Sequence, residues 1–157
     1  MNNDEKWMQI AISEAILARN EGEIPVGAVL IQHDKLIAKA HNKPILNQDP
    51  TAHAEVEVLR KAGKKLKNYR LSGSTLYVTL EPCIMCLGAI MHARIERVVF
   101  GALDPKTGVC GSKADLTSEE FFTHKVIVVG GVLEEENKEI LQSFFKSKRI
   151  ANNLNKN

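Results

Sequence analysis

Thr75-Leu76-Tyr77-Val78-Thr79-Leu80-Glu81-Pro82-Cys83-Ile84-Met85-Cys86 is the stretch that decides how this chain folds. Its first half is rich in β-formers and predicts a strand over 75–80. Pro82 suits the first turn of a helix, where its missing N–H costs nothing. Cys83 and Cys86, at i and i+3, then share one face of that turn. The stretch reads as a strand-to-helix junction presenting two thiols from a helix start, a rigid support of the kind a metal site needs.

Upstream, Thr51-Ala52-His53-Ala54-Glu55 opens a second predicted helix over 52–65, with Asp49 or Thr51 as its cap and Val56, Leu59 and Ala62 toward the core. His53 then falls in the first turn. One imidazole and two thiolates are good zinc ligands, and three protein ligands leave one position open, which suits catalysis better than structure. On an ideal helix His53 and Glu55 are roughly 200° apart. They reach one cavity only if the helix end points into it, and there the dipole also favours an anionic hydroxide.

Each half has a plainer reading. C-x-x-C alone also marks structural zinc or redox sites. A structural site needs a fourth ligand, for which Cys110, His41, His92 and His124 are candidates by residue type only; Cys110 reads as a free loop thiol. Together, both at predicted helix starts, the halves point to a catalytic Zn2+, one per subunit. Zinc lowers the pKa of its water to near neutrality. Glu55 is left to carry protons from that water to a substrate ring nitrogen and then to the leaving group. This kit suits hydrolytic release of ammonia from an amidine-like carbon, as in an aminated base.

The remainder of the chain supplies the scaffold. Its 157 residues, 44% hydrophobic and 25% charged, fit one soluble domain, 1–157, with a core large enough to need no disulfides. No apolar run nears the ~20 residues that span a bilayer. The acidic N-terminus, Met1-Asn2-Asn3-Asp4-Glu5, has no secretory pattern. Three cysteines fit a reducing, cytoplasmic setting. A helix is expected over 4–21, capped by Asn3 or Asp4 and stopped by Gly22. Strands follow at 26–31 and 35–40 around His33-Asp34, then a polar loop over 43–50. Further strands are expected at 97–102 and 125–129, a short helix from a capping-box pattern at Thr117, and a last helix over 134–150 with a frayed tail at 152–157. The order predicts an α/β sandwich around a five-stranded mixed sheet. Net charge is only +2, but bases cluster at Arg60, Lys61, Lys64, Lys65, Lys67 and Arg70, and again at Lys138, Lys146, Lys148 and Arg149. Such clusters are either solvated helix faces or phosphate contacts.

The pattern H-x-E…P-C-x-x-C is that of zinc nucleobase deaminases. With Gly22 to Val29, Ala40-His41-Asn42, Pro50 to Glu55, Asn68 to Leu71, Thr75 to Cys86, Arg97 to Ala102, Asp104 to Gly108 and Phe144 to Arg149, the chain resembles the bacterial tRNA adenosine deaminases over roughly residues 5–150. The resemblance implies the cytidine-deaminase-like fold, a three-layer α/β/α sandwich. It also implies a homodimer and conversion of the wobble adenosine of a tRNA anticodon stem-loop to inosine, with hydroxide attacking adenine C6. By position it makes His53, Cys83 and Cys86 the zinc ligands and Glu55 the proton shuttle. It makes Asn42 and Ala54 contacts to the target base, Asp104 and Lys106 part of a loop against the anticodon, and Phe145, Lys146 and Arg149 the RNA-contacting face of the last helix. After Gly111-Ser112 that family continues with apolar residues, whereas this chain reads Lys113-Ala114-Asp115-Leu116-Thr117. Two other readings use the same zinc kit: a deaminase of a free base or nucleoside, such as guanine or cytosine, and a non-catalytic zinc-stabilised RNA-binding protein. The Phe-bearing basic tail favours RNA, since single strands are held by stacking and cations together.

Overall fold

The computed structural model describes residues 1–156. The elements are α1 (Asn3–Asn20), β1 (Gly27–Gln32), β2 (Lys35–His41), α2 (Pro44–Asn47), α3 (Ala54–Leu66), β3 (Ser74–Leu80), α4 (Ile84–His92), β4 (Arg97–Ala102), β5 (Ile127–Val129) and α5 (Glu134–Leu154). The strands form one sheet in the order β2-β1-β3-β4-β5. β1 is antiparallel to β2 and β3, while β3–β4 and β4–β5 are parallel. The expected five-stranded mixed sheet is therefore present.

The sheet is apolar on both faces because both are covered. Ala28, Leu30, Leu76, Val78, Val98 and Phe100 pack in one cluster with Ala54, Val58 and Ala62 of α3 and Leu87 and Ile90 of α4. The alternate positions, Val29, Ile31, Tyr77 and Val99, pack with Trp7, Met8, Ala11 and Ile12 of α1. This period of two, read on both sides of the sheet, makes the three-layer sandwich. Gly27 is where α1 presses closest: a Cβ there would overlap the Ala11 carbonyl oxygen and the Ala15 amide. Among the described residues no helix is long and apolar enough to cross a membrane.

Several local expectations change. Asn2, one residue earlier than expected, caps α1 by accepting the Glu5 N–H at 2.8 Å. His33 and Asp34 both take positive φ, 52° and 57°, which a two-residue hairpin demands even without glycine. α2 forms inside the stretch read as loop. Its start is held by Glu23, whose buried carboxylate accepts the Ile45 and Leu46 N–H groups at 3.1 and 2.8 Å. In α3 it is Val58, with Ala54 and Ala62, that is buried, and Val56 lies at the edge. β5 is shorter than expected. No helix forms at Thr117: its amide and hydroxyl both donate to Asp115, at 3.0 and 2.6 Å, closing a turn instead. α5 runs on through Leu154, so the first half of the supposed tail is helical, and Asn157 lies outside the described residues.

Candidate active site

Two helix starts meet beyond the carboxyl end of β3. His53 is the N-cap of α3 and Cys83 the N-cap of α4, both in extended backbone and neither capping its helix with its side chain. This corrects the expectation of His53 inside the first turn and of Pro82 as the first helical residue. It also removes the difficulty of the ~200° separation, which applies only to residues inside an ideal helix. An N-cap side chain ordinarily turns back on its own helix; here both are left free to face each other. Cys86, one turn into α4, is buried beside them.

The His53 Nδ1 atom lies 3.7 Å from Cys83 Sγ and 3.5 Å from Cys86 Sγ. The three donor atoms all fall within 4.8 Å of one another. Tetrahedral zinc with ordinary Zn–S and Zn–N bonds separates such atoms by about 3.6 Å, so the residues fit that ion. The group gains no fourth protein donor among the described residues. His41 is held between Glu14 and Glu21, at 2.6 and 3.0 Å. His124 Nε2 bonds to the Ile95 carbonyl. His92 ends α4, and Cys110 is a buried free thiol in the loop after β4. An ion held by His53, Cys83 and Cys86 would keep one position open.

The pKa of Cys83 is held down to about 4, first by the hydrogen bond from Cys86 and then by the one with His53. The hydrogen bond to Cys83 and burial push Cys86 the other way, and the hydrogen bond with Cys83 raises His53. Glu55 is 4% exposed, and burial pushes its carboxyl up to about 7. A carboxyl group so raised, beside three residues able to hold a metal ion, can take and return a proton near neutral pH.

Asn42 ends the hairpin next to this centre. It is 7% exposed, and its Oδ1 accepts the Ala54 N–H at 2.7 Å. It thereby supplies the cap that His53 does not. Asp104 is less available than its sequence position suggests, since its carboxylate accepts the Lys106 and Thr107 N–H groups and the Thr107 hydroxyl. Lys106 itself is exposed. Phe145 is 41% exposed while Phe144 is buried, the rings meeting edge to face at 5.5 Å. Lys146 and Arg149 are exposed, with no ion pair among the described residues. α5 lies against the end of α1, where Phe144 and Lys148 share a cleft with Arg19 and Gly22. Glu21, beside that cleft in the chain, reaches His41, the residue before Asn42.

Sequence reasoning missed the buried acids. Glu14, Glu23 and Glu81 are each 5% exposed or less. Acidic residues are rarely buried unless paired, and pairing to distant backbone N–H groups, as at Glu23 and Glu81, or to a distant imidazole, as at Glu14, leaves no trace in spacing.

The chain matches the MafB19-like deaminase family model over residues 2–149. It is 50% identical to a tRNA-specific adenosine deaminase of Bacillus subtilis, covering 95% of this chain and 92% of that protein. A solved structure from a study of A-to-I editing by tRNA:A34 deaminases at the wobble position of transfer RNA superposes with a TM-score of 0.85 at 43% identity, covering 87% of this chain and 99% of the other. A guanine deaminase from Bacillus subtilis is also 43% identical, with a TM-score of 0.62 and 66% of each chain covered.

Proposed function

This chain belongs to the tRNA-specific adenosine deaminases, within the MafB19-like deaminase family, and from that membership we propose that it converts the wobble adenosine of a tRNA anticodon loop to inosine. The observation that carries the chemistry is the group His53, Cys83 and Cys86 with buried Glu55 beside it. These three ligands would hold a zinc ion, which supplies Lewis acidity and makes a hydroxide nucleophile available near neutral pH.

The other steps belong to the chain. Glu55 takes one proton of the attacking water and gives it to the adenine ring nitrogen next to C6, then carries the proton of the new C6 hydroxyl to the amine, so that the C–N bond breaks, ammonia leaves and the C6 carbonyl forms. Asn42, fixed through its oxygen on Ala54, has its amide nitrogen free among the described residues to donate to the base. The α3 start, with Ala54 as its first residue, bounds the base pocket. Lys106 and the Asp104 turn meet the neighbouring anticodon nucleotides, and Phe145, Lys146 and Arg149 meet RNA through a stacking surface and phosphate-directed charge. The adenosine has to leave its stack to reach Glu55, at a cost of a few kcal/mol that is least in a single-stranded loop.

The protein acts as a homodimer in this reading. Support comes from a groove between α3 and α4, about 810 Å³, lined by Val56, Leu59, Ala89 and Ala93, with Tyr69 76% exposed at its edge. Uncovered apolar surface of this kind suits a self-complementary interface. Three free cysteines fit the reducing cytoplasm, where tRNA is used.

The likeness to guanine deaminase favours one second reading, action on a free purine. A deamination assay on an anticodon stem-loop with a wobble adenosine, against free adenosine and guanine, decides. Inosine from the stem-loop with little turnover of the free compounds is expected; efficient guanine turnover with inert RNA would reverse the reading.

A further inference from the structure

Glu81 stands at the end of β3, two residues before Cys83, and the chemistry above leaves it without a task. It is 2% exposed, and no cation pairs with it among the described residues. A carboxylate so placed is costly unless its oxygens are filled. They are filled by four donors from one loop. Oε1 accepts the Asp104 N–H at 3.0 Å and, in a short contact, the Ser112 hydroxyl. Oε2 accepts the Cys110 N–H at 3.0 Å and the Ser112 N–H at 3.1 Å.

The main chain repeats the grip, since the Glu81 N–H donates to the Ala102 carbonyl at 2.9 Å and the Val109 N–H to the Pro82 carbonyl at 3.1 Å. Gly108 is required for the approach, because a Cβ there would overlap the Glu81 carboxyl group. The loop is thus tied at its beginning, at Asp104, and at its end, at Cys110 and Ser112. Asp104, once fixed, orders the next turn by accepting the Lys106 and Thr107 N–H groups at 3.0 and 3.1 Å. A continuous chain of hydrogen bonds therefore runs from Glu81 to the backbone of Lys106. The strand end that starts this chain is the one that delivers Cys83.

We propose that Glu81 is a positioning residue for substrate, holding the Asp104–Ser112 loop at a set offset from the metal ligands so that a nucleotide held by the loop meets Glu55 in register. The proposal rests on the reading of this loop as an RNA-contacting surface. It assigns Glu81 no contact with substrate: it acts through Asp104 and Lys106. Such control matters because a displacement of about 1 Å can cost about a hundredfold in rate.

The test uses zinc-loaded protein and an anticodon stem-loop. In Glu81→Gln the new NH2 group faces N–H donors and only one oxygen still accepts, so the loop loses its anchor. Hydrogen exchange should quicken at the amides of Asp104, Cys110 and Ser112 while the α3 and α4 amides are unchanged. Zinc content should be unchanged. The stem-loop kcat/KM should fall about tenfold or more, with kcat falling as well as KM rising. Lys106→Ala should cost activity in the parent protein and little further in Glu81→Gln. Ser112→Ala, which removes the hydroxyl donor and its contact alone, should shift KM in the same direction by less, and serves if Glu81→Gln does not fold. Unchanged exchange at the three amides, or loss of zinc, would overturn the anchoring role. Equal Lys106→Ala costs in both backgrounds would overturn the route through the loop. A Lys106→Ala change without effect in the parent refutes the RNA reading of the loop, and the proposal with it.

Discussion

The Oδ1 atom of Asn42 caps α3 by accepting the Ala54 N–H at 2.7 Å, so one side chain ties the hairpin to the helix that carries both His53 and Glu55. The cap and the proposed base contact use different atoms of that amide. Asn42→Asp keeps the oxygen and places a charge favourably at a helix N-terminus. It should leave unfolding stability within about 0.5 kcal/mol of the parent while lowering kcat/KM on the stem-loop about tenfold, the loss of about 1.4 kcal/mol of transition-state binding. Asn42→Ala should lose both activity and about 1 kcal/mol of stability. Denaturant titration beside steady-state kinetics separates the two, and an Asp variant as active as the parent would reduce Asn42 to a cap.

Glu55 stands outside the donor group, so its removal should spare the metal. Glu55→Gln has nearly the same shape and no charge to bury. Zinc content and stem-loop affinity should match the parent, while single-turnover inosine formation falls by about 10²- to 10⁴-fold, the usual worth of a general acid–base group. Metal analysis, a binding titration and the rate together check this. Retained activity would remove Glu55 from the proton path.

The fold and the grouping of His53, Cys83 and Cys86 could be read from sequence because each leaves a local mark. Alternation of apolar residues shows in the strands, and C-x-x-C at a strand-to-helix junction places its thiols by local geometry alone. What escaped reading depends on partners distant in sequence. Glu81 bonds residues 23 to 31 positions away, and Glu14 reaches His41 across 27. In sequence they look like any solvated acids. The capping-box pattern at Thr117 failed for a local reason: Asp115 takes the amide and hydroxyl of Thr117 into a turn. The start of α3 lies at Ala54 and not at residue 52, leaving His53 as the N-cap, because Asn42, twelve residues before Ala54, does the capping.

Asp4 and Arg97 form a pH-dependent clamp between α1 and β4. The guanidinium donates to both carboxylate oxygens, at 2.8 and 2.6 Å, and the Tyr77 hydroxyl adds a third bond at 2.8 Å. The Arg97 hydrogen bonds, against the cost of burial, hold the Asp4 carboxyl below its ordinary value of 3.8. A carboxyl group lowered on folding contributes its stability above the unfolded pKa and loses it as pH falls through the folded one. Asp4→Asn should therefore cost about 1–2 kcal/mol at pH 7. The gap to the parent should close only below about pH 4. Urea unfolding from pH 7 to pH 3 measures it, and a constant gap across that range would show that charge plays no part.

The basic face of α5 should behave as a phosphate contact. Lys146 and Arg149 have no ion pair among the described residues, and Lys148 lies over Phe144 at 5.4 Å. If all three meet the RNA backbone, replacing them with Ala reduces the counterions released on binding. For a single-stranded loop each contact is worth about 0.7 in the slope of log K against log salt, so the triple variant should flatten that slope by about 2. Affinity should fall most at low salt. Phe145→Ala is the complementary change: it removes a stacking surface of 41% exposure but no charge, so affinity should drop by about 1–3 kcal/mol at an unchanged slope. Fluorescence titrations of the stem-loop over a range of salt concentrations distinguish the two. A triple variant with the parent's slope would mean that these cations only keep the helix in water.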